Sequence, residues 1–424
     1  MIFKCNTQLL SSTIARWQTS VRSTILLFGI LSLFFTSTAL QAQQTERTER
    51  PRRVGAPRET SPAAPPPPPP APPSPNADSS APDDEDDVVR VETDLVTVPV
   101  VVTNTRGGQV AALRAENFRL YEDSSSQTIA NFSATETPFE VALLLDTSGS
   151  TRAEVNLIRR AAHVFINALR AGDRVAILAF NTSEDAGERL ATVDVKIDLT
   201  SDREKLHRAV DLVGASSGTP YYDALERVAN RIFRDPPREE VRGRRALVAL
   251  TDGVDSTSDE DYREARAALL GRGVICYFVQ INTEDFVEER LLKDCADDGT
   301  LRLSRTQLQR YRRIFVPRAD ASEYLNFCRL GEFQRMQISR DLYNLARREM
   351  SELSKESGGK TFPTVDLVDA RRAFAQVAAE IGTQYSLSYY PTNKERQGRF
   401  RKIRVEVRGI AAGAQVRARE GYTR

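Results

Sequence analysis

An unbroken apolar run that ends in alternating oxygen-bearing side chains constrains this chain more than any other feature. Residues 141–145 are all apolar and lead directly into Asp146, after which Ser148 and Ser150 stand at alternate positions. Such a run is typical of a strand buried on both faces, as in a parallel sheet covered by helices. Because open α/β sheets bind ligands at the carboxyl ends of their strands, we expect a binding site here. The three side chains offer only oxygen, which favours a hard cation such as Mg²⁺.

The central part of the chain, about residues 137–383, alternates strand-like and helix-like segments. Further apolar runs occur at 174–180, 246–250 and 274–279, and amphipathic stretches such as 154–169 separate them. This alternation predicts an α/β fold with a doubly wound, mostly parallel sheet.

The two segments that flank this region, residues 88–136 and 384–424, are rich in β-forming residues. Each segment is too short to form a complete sheet by itself. We therefore predict that they pair with one another into a small β-sandwich-like domain, with the α/β domain inserted between them.

An arginine-rich segment at about 283–340 interrupts the strand–helix alternation. Residues 301–348 contain eleven arginines against four acids. Nucleic-acid grooves can have this composition, but the whole chain carries a net charge of only +1, and the N-terminus indicates export. We expect no nucleic-acid partner, and interpret the segment as an insertion with solvated helix faces. Five aromatic residues are interleaved with the arginines and are expected to pack on the main domain: Tyr311, Phe315, Tyr324, Phe327 and Phe333.

The N-terminus has the pattern of an export signal. Basic residues precede the apolar stretch 25–35, and small residues follow it, so residues 1–42 are predicted to be a signal peptide. The apolar stretch is shorter than the roughly 20 residues that cross a bilayer. The alternative is an uncleaved signal anchor that keeps the protein at the membrane. In either case the protein is exported, to the periplasm, the cell surface or the medium.

A proline-rich and acidic segment, residues 43–87, follows the signal. It contains an uninterrupted proline run at 65–70 and ends in the acidic run 83–87. This composition predicts an extended, disordered linker, because such a segment cannot bury enough apolar surface to fold.

The states of the four cysteines would indicate whether the protein resides in an oxidising compartment. Cys5 leaves with the signal peptide, and Cys276 lies in an apolar strand-like run and is expected to be buried. Cys295 and Cys328 remain as candidates for a disulfide in an oxidising compartment.

Two later loops contribute further oxygen ligands. Thr219 stands in the Gly- and Ser-rich loop 214–220, and Asp252 ends another apolar strand in a T-D-G turn. A D-x-S-x-S turn followed by such a Thr and a T-D-G acid resembles the metal-ion-dependent adhesion site of the von Willebrand factor A (vWA) domain. The resemblance covers about residues 137–383. The strand chemistry near the C-terminus also resembles a bacterial vWA-related family with flanking β-segments.

The resemblance implies a role for each residue. Ser148, Ser150 and Thr219 would bind Mg²⁺ (or Mn²⁺ or Ca²⁺) directly through their hydroxyl oxygens. Asp146 and Asp252 would act largely through bound waters. Neutral ligands leave the cation electron-poor, so that an Asp or Glu carboxylate of a protein partner completes its coordination. The predicted function is therefore metal-dependent binding of a protein.

Two other functions are alternatives. In the first, the protein is a structural or scaffolding component of an envelope assembly, and the metal serves stability. In the second, it is a phosphotransferase of the haloacid-dehalogenase type, but such enzymes need a second acid where this chain has Ser148. A serine hydrolase would need G-x-S-x-G and a placed histidine, and the chain has only His163 and His207. We therefore predict no enzyme and assign no catalytic residue.

Overall fold

The computed structural model describes most of the chain from Leu95 onward. The predicted signal peptide, the predicted linker, Ser150 and Cys295 lie outside the described residues. The described ranges are 95–134, 137–149, 155–185, 188–238, 240–241, 243–293, 303–395 and 398–423. None of the helices in these ranges is long and apolar enough to cross a membrane.

The described elements alternate between strand and helix in the centre of the chain. The strands are β1 (Val96–Thr103), β2 (Phe118–Glu122), β3 (Ser125–Gln127), β4 (Ile129–Ser133), β5 (Glu140–Leu145), β6 (Arg174–Asp185), β7 (Glu188–Thr200), β8 (Arg245–Thr251), β9 (Ile275–Ile281), β10 (Lys360–Thr364), β11 (Tyr385–Tyr389), β12 (Phe400–Val407), β13 (Gln415–Ala418) and β14 (Gly421–Thr423). The helices are α1 (Val155–Ala168), α2 (Arg203–Asp211), α3 (Tyr221–Arg227), α4 (Tyr262–Gly271), α5 (Glu284–Lys293), α6 (Arg305–Phe315), α7 (Glu332–Ser357) and α8 (Leu367–Gly382).

The central sheet has six strands in the order β10-β9-β8-β5-β6-β7. All neighbouring pairs are parallel except β6 and β7. Every residue of β5 and β8 is buried, because helices cover both faces of the sheet. Helices α1, α2 and α8 pack on one face, and α3 to α7 pack on the other. The predicted doubly wound, mostly parallel α/β fold is confirmed.

Two smaller antiparallel sheets combine the N-terminal and C-terminal segments. Their strand orders are β13-β1-β11-β4 and β14-β12-β2-β3. In the first sheet Val98 lies opposite Leu387, and in the second Leu120 lies opposite Val405. The two sheets share one apolar core. The predicted pairing of the flanking segments is confirmed.

The arginine-rich segment is built into one face of the α/β domain. Of the aromatic residues expected to pack there, Tyr311, Tyr324 and Phe327 are buried in the core, and Phe315 packs against it. Phe333 is 92% exposed, so the expectation was wrong for this residue. It is the second residue of α7, a helix of 26 residues whose later turns supply the buried side chains.

The two described cysteines differ in state. Cys276 is buried and unpaired, as its apolar surroundings in β9 predict. Cys328 is disulfide-bonded. Because Cys295 lies outside the described residues, its pairing with Cys328 stays a prediction.

Candidate metal site

The candidate site lies where two neighbouring parallel strands end. Asp146 follows the last residue of β5, and its backbone N–H donates to the carbonyl oxygen of Leu250 on β8 at 2.9 Å. This bond extends the β5–β8 pairing by one residue. The Asp252 carboxylate, just past the end of β8, therefore lies near that of Asp146, as strand-end placement predicts.

The Asp146 carboxylate is fixed from two sides. Its Oδ1 accepts from the backbone N–H of Ser148 at 3.0 Å, within the D-x-S-x-S turn. Its Oδ2 accepts from the hydroxyl of Thr251 at 2.7 Å. Asp146 is fully buried, and Ser148 is 2% exposed. These bonds hold the carboxylate in one orientation.

The Asp252 carboxylate is fixed by groups from more distant parts of the chain. Its Oδ1 accepts from the backbone N–H of Val254 at 3.0 Å. Its Oδ2 accepts from the hydroxyl of Thr283 at 2.6 Å and lies 3.4 Å from the hydroxyl of Tyr343. Tyr343 belongs to α7, the helix that begins in the arginine-rich segment, so this helix contributes to this side of the site.

The loop that carries Thr219 is tied to both neighbouring loops. The backbone N–H of Ser216 donates to the carbonyl oxygen of Thr147 at 2.7 Å. The backbone N–H of Thr219 donates to the hydroxyl oxygen of Ser256 at 2.9 Å, and its carbonyl oxygen accepts from the N–H of Ser256 at 3.0 Å. Within the described part of the chain the Thr219 hydroxyl has no hydrogen bond, so it is free to bind a ligand.

The electrostatics of the site favour a cation. Burial, and then the charge of Asp252, raise the pKa of Asp146 to about 7. Two buried carboxylates that repel one another are stabilised by a positive charge between them. The side chains present are carboxylates and hydroxyls, which suit a hard divalent cation. The residues therefore fit the predicted metal.

The structure brings four of the five predicted ligands to one edge of the sheet: Asp146, Ser148, Thr219 and Asp252. Ser150 lies outside the described residues. Metal binding by these residues stays a prediction.

The residues that hold the ligands in place were not predicted from the sequence; they are Thr251, Ser256, Thr283 and Tyr343. Thr251 stands within the T-D-G turn, so its position offered a signal. Tyr343 is 91 residues from Asp252 and lies in a segment without a recognisable motif.

A comparison with protein families identifies the central part of the chain. Residues 140–308 match the family described as the von Willebrand factor type A domain. No match was found among curated proteins.

Several solved structures are similar to this chain at low identity and low TM-score. The conserved hypothetical protein BatB from Bacteroides thetaiotaomicron is 16% identical, with 57% of this chain and 98% of that chain covered and a TM-score of 0.34. A von Willebrand factor type A protein from Catenulispora acidiphila is 12% identical, with 79% and 74% covered and a TM-score of 0.35. Proximal thread matrix protein 1 from the mussel byssus, with a zinc-occupied MIDAS motif, is 19% identical, with 36% and 38% covered and a TM-score of 0.28. At this similarity we draw no functional conclusion from them.

Proposed function

Residues 140–308 of the chain form a von Willebrand factor type A domain, and from that premise we propose that the protein is an exported protein-binding module. Binding depends on a divalent cation, and a carboxylate of the partner completes the coordination of that cation. The cation is Mg²⁺, with Mn²⁺ or Ca²⁺ as substitutes.

The observation that carries the proposal is the pair of buried carboxylates at adjacent strand ends. Asp146 is fully buried and Asp252 is 3% exposed, and each is held by a threonine hydroxyl. The pKa of Asp146, raised to about 7, reports the electrostatic cost of this arrangement without a cation. A divalent cation removes that cost, because it interacts favourably with both carboxylates.

Some of the site residues would contact the cation directly, and others would contact it through bound water. We propose that Ser148, Ser150 and Thr219 bind the cation through their hydroxyls, and that Asp146 and Asp252 hold its bound waters. The cation supplies Lewis acidity, which attracts one more anionic oxygen. Because hydroxyl ligands are neutral, they do not neutralise the charge of the cation, and an Asp or Glu carboxylate of the partner can bind it.

The proposed export rests on the predicted signal peptide, residues 1–42; the predicted linker, residues 43–87, follows it. The proposed locations are the periplasm, the cell surface or the medium. The protein is attached to the membrane only if the signal peptide stays uncleaved. A net charge of +1 gives no general attraction to nucleic acid, and we propose no such partner.

Mn²⁺ is used as a probe to test whether the site binds a metal and whether one coordination position of that metal is open to a partner carboxylate. Bound Mn²⁺ increases the relaxation rate of the protons of the water molecules that it coordinates. Titrating the protein with Mn²⁺ and measuring this rate gives the affinity for Mn²⁺ and the number of water molecules on the bound ion. A short peptide with a central Asp should displace water from bound Mn²⁺, and the same peptide with Asn should not. Thr219→Val removes one hydroxyl at nearly constant volume and should weaken Mn²⁺ binding at least tenfold.

Ser217→Ala in the same loop is the matched control, since Ser217 is not a predicted ligand. It should bind Mn²⁺ as the wild type does. The proposed metal site is wrong if Thr219→Val and Asp252→Asn both retain wild-type affinity. The proposed partner chemistry is wrong if Mn²⁺ binds but the Asp peptide displaces no water.

A scaffold role is the second candidate, and the burial of the site favours it. Thr219, the most exposed of the four described ligands, is 7% exposed, so a partner carboxylate has little open approach. In that case Asp146→Ala and Thr219→Ala would lower the melting temperature in Mg²⁺ and leave capture of partners from an envelope extract unchanged. Under the binding proposal the same variants abolish capture, as EDTA does.

We propose no catalytic residue. Ser148 stands where a phosphotransferase of the haloacid-dehalogenase type needs its second acid. Phosphatase activity that disappears in Asp146→Asn would contradict this part of the proposal.

A further inference from the structure

The two histidines of the chain meet on neighbouring helices, and the side chains bonded to them include none of the candidate metal-site residues. The chain contains only two, His163 on α1 and His207 on α2. The Nδ1 atoms of their rings lie 2.6 Å apart, and the ring centroids are 4.8 Å apart. The His163 side chain is 27% exposed, so the pair is within reach of solvent.

The outer nitrogen of each ring is bonded to an oxygen on the opposite helix. His163 Nε2 lies 2.9 Å from Oδ1 of Asp211, and His207 Nε2 lies 3.0 Å from Oδ1 of Asn167. Asn167 is four residues after His163, and Asp211 is four residues after His207. Each helix therefore presents one imidazole and one oxygen acceptor on the same face.

These outer bonds determine where the ring protons lie. Oδ1 of Asp211 and, in the amide orientation that the structure shows, Oδ1 of Asn167 can only accept, so each Nε2 carries a proton and donates it. Each neutral ring then directs the lone pair of its Nδ1 toward the other ring. Two lone pairs at 2.6 Å repel one another unless a positive charge, a shared proton or a metal ion, lies between them.

The same arrangement is found in metal centres, where a ligating histidine usually donates its other ring N–H to a carboxylate or carbonyl oxygen. We propose that His163 and His207 bind a transition-metal ion, Zn²⁺ or Cu²⁺, through their two Nδ1 atoms. Asp211 and Asn167 are positioning residues that hold the rings through the Nε2 protons.

The geometry requires a small adjustment. Two nitrogens on one tetrahedral Zn²⁺, each about 2.0–2.1 Å from the ion, are about 3.3 Å apart. The rings must therefore separate by about 0.7 Å, which their partial exposure permits. In the described residues, no group of three His, Cys, Asp or Glu side chains is arranged to hold a metal. Water therefore completes the coordination, as expected for a site of modest affinity.

Ligand chemistry separates this site from the one at the strand ends. Imidazole nitrogen suits Zn²⁺, Cu²⁺ and Ni²⁺, whereas hydroxyl and carboxylate oxygens suit Mg²⁺, Ca²⁺ and Mn²⁺. A metal on the histidine pair would bridge α1 and α2, which pack against one another. The inference is independent of the proposed adhesion function.

Cu²⁺ is the probe, used with the full chain carrying no histidine tag and with Mg²⁺ in excess. We expect one equivalent of Cu²⁺ whose electron paramagnetic resonance spectrum shows coupling to two imidazole nitrogens. Since the chain has no other histidine, this coupling identifies both ligands. His207→Gln should leave coupling to one nitrogen and weaken binding at least tenfold.

Two variants on α2 distinguish a residue that binds the metal from one that only positions a ligand. Asp211→Asn should keep both nitrogen couplings and weaken Cu²⁺ binding by about 10–100-fold, the usual effect of losing such a partner. Glu204→Gln, also on α2, is the control and should bind Cu²⁺ as the wild type does.

A bound Cu²⁺ without imidazole coupling would overturn the proposal, as would unchanged affinity in the double variant His163→Gln/His207→Gln. Should the variants fail to fold, the wild type is titrated with Zn²⁺ while the nitrogen-15 chemical shifts of the two imidazole rings are measured. Both rings should shift together and saturate at one equivalent; unshifted resonances would refute the site.

Discussion

The Thr251 hydroxyl donates a hydrogen bond to Oδ2 of Asp146 at 2.7 Å, and this bond joins the ends of two neighbouring parallel strands. β5 and β8 are paired in register up to Leu145 and Leu250, so Thr251 stands beside Asp146. Thr251 Oγ1 also accepts from the backbone N–H of Gly253 at 2.8 Å. One hydroxyl therefore fixes the first acid of the candidate site and the turn that carries the second.

Thr251→Val should weaken metal binding without touching a predicted ligand. Valine keeps the volume but leaves Asp146 without one of its donors and Gly253 N–H without its acceptor. We expect affinity for Mg²⁺ or Mn²⁺ to fall about 10–100-fold, and the free energy of unfolding in EDTA to fall by about 1–3 kcal/mol. Calorimetric titration and urea unfolding measure the two effects.

Thr364→Val is the matched control for that substitution. Thr364 also ends a parallel strand, and its hydroxyl donates to the carbonyl oxygen of Gln280 at 2.8 Å, on the far edge of the sheet. It should cost stability and leave metal affinity unchanged. Equal metal affinity in both variants would refute the role of Thr251.

Glu349 should make the stability of the protein depend on pH. It is 8% exposed and accepts from the Tyr222 hydroxyl at 2.8 Å. Burial, and then the charge of Asp255, raise its pKa from 4.5 to about 7. The folded state thus holds a proton that the unfolded state releases above about pH 4.5. The contribution of Glu349 to stability is full below that pH and is lost as pH rises through about 7.

Glu349→Gln should remove this dependence, because glutamine still accepts from Tyr222 and carries no charge. We expect the variant to be more stable than the wild type by about 1–3 kcal/mol at pH 8, and nearly equal at pH 4.5. Urea unfolding in EDTA at both values measures the difference. Glu352→Gln, at an exposed position of α7, is the control. A difference that stays constant with pH would contradict the assignment.

The central sheet was predictable because burial on both faces leaves unbroken apolar runs, as in β5 and β8. β7 and β10 were missed for opposite reasons. β7 is an edge strand whose residues are mostly half-buried, so it lacks a continuous apolar run. β10 has only five residues, and one of them is Pro363. Edge strands carry a weaker signal, because one side of each is not covered by another strand.

The candidate ligands were predictable because strand ends and short loops fix their positions locally. Tyr343 was not, since it reaches Asp252 only through the packing of α7 on the α/β domain. The meeting of His163 and His207 depends in the same way on the contact between α1 and α2. Contacts made by helix packing between distant segments leave no local pattern in a single sequence.

A buried ion pair between Glu122 and Arg401 should couple the two flanking segments. The atoms Arg401 Nη1 and Glu122 Oε1 are 2.8 Å apart, and both side chains are less than 5% exposed. Arg401→Met leaves the Glu122 charge buried with only the hydroxyls of Tyr389 and Tyr422 as partners, which should cost about 3–5 kcal/mol. The double variant Glu122→Gln/Arg401→Met should cost less than the sum of the single variants, by about 0.5–3 kcal/mol. Urea unfolding of all four proteins gives the coupling energy, and strict additivity would contradict it.

Gly359, the residue just before β10, should be irreplaceable because the chain lies too close to β9 there for any side chain. A Cβ atom at this position would lie 2.0 Å from the carbonyl oxygen of Cys276, a backbone atom that cannot move without breaking the sheet. Gly359→Ala should therefore destabilise the protein by about 3 kcal/mol or more. Gly271→Ala is the control, since a Cβ there meets no atom within 4 Å. As a helical position, it should gain up to about 1 kcal/mol on substitution. Thermal unfolding compares the two, and a wild-type melting temperature for Gly359→Ala would show that β10 does not pack against β9 in this register.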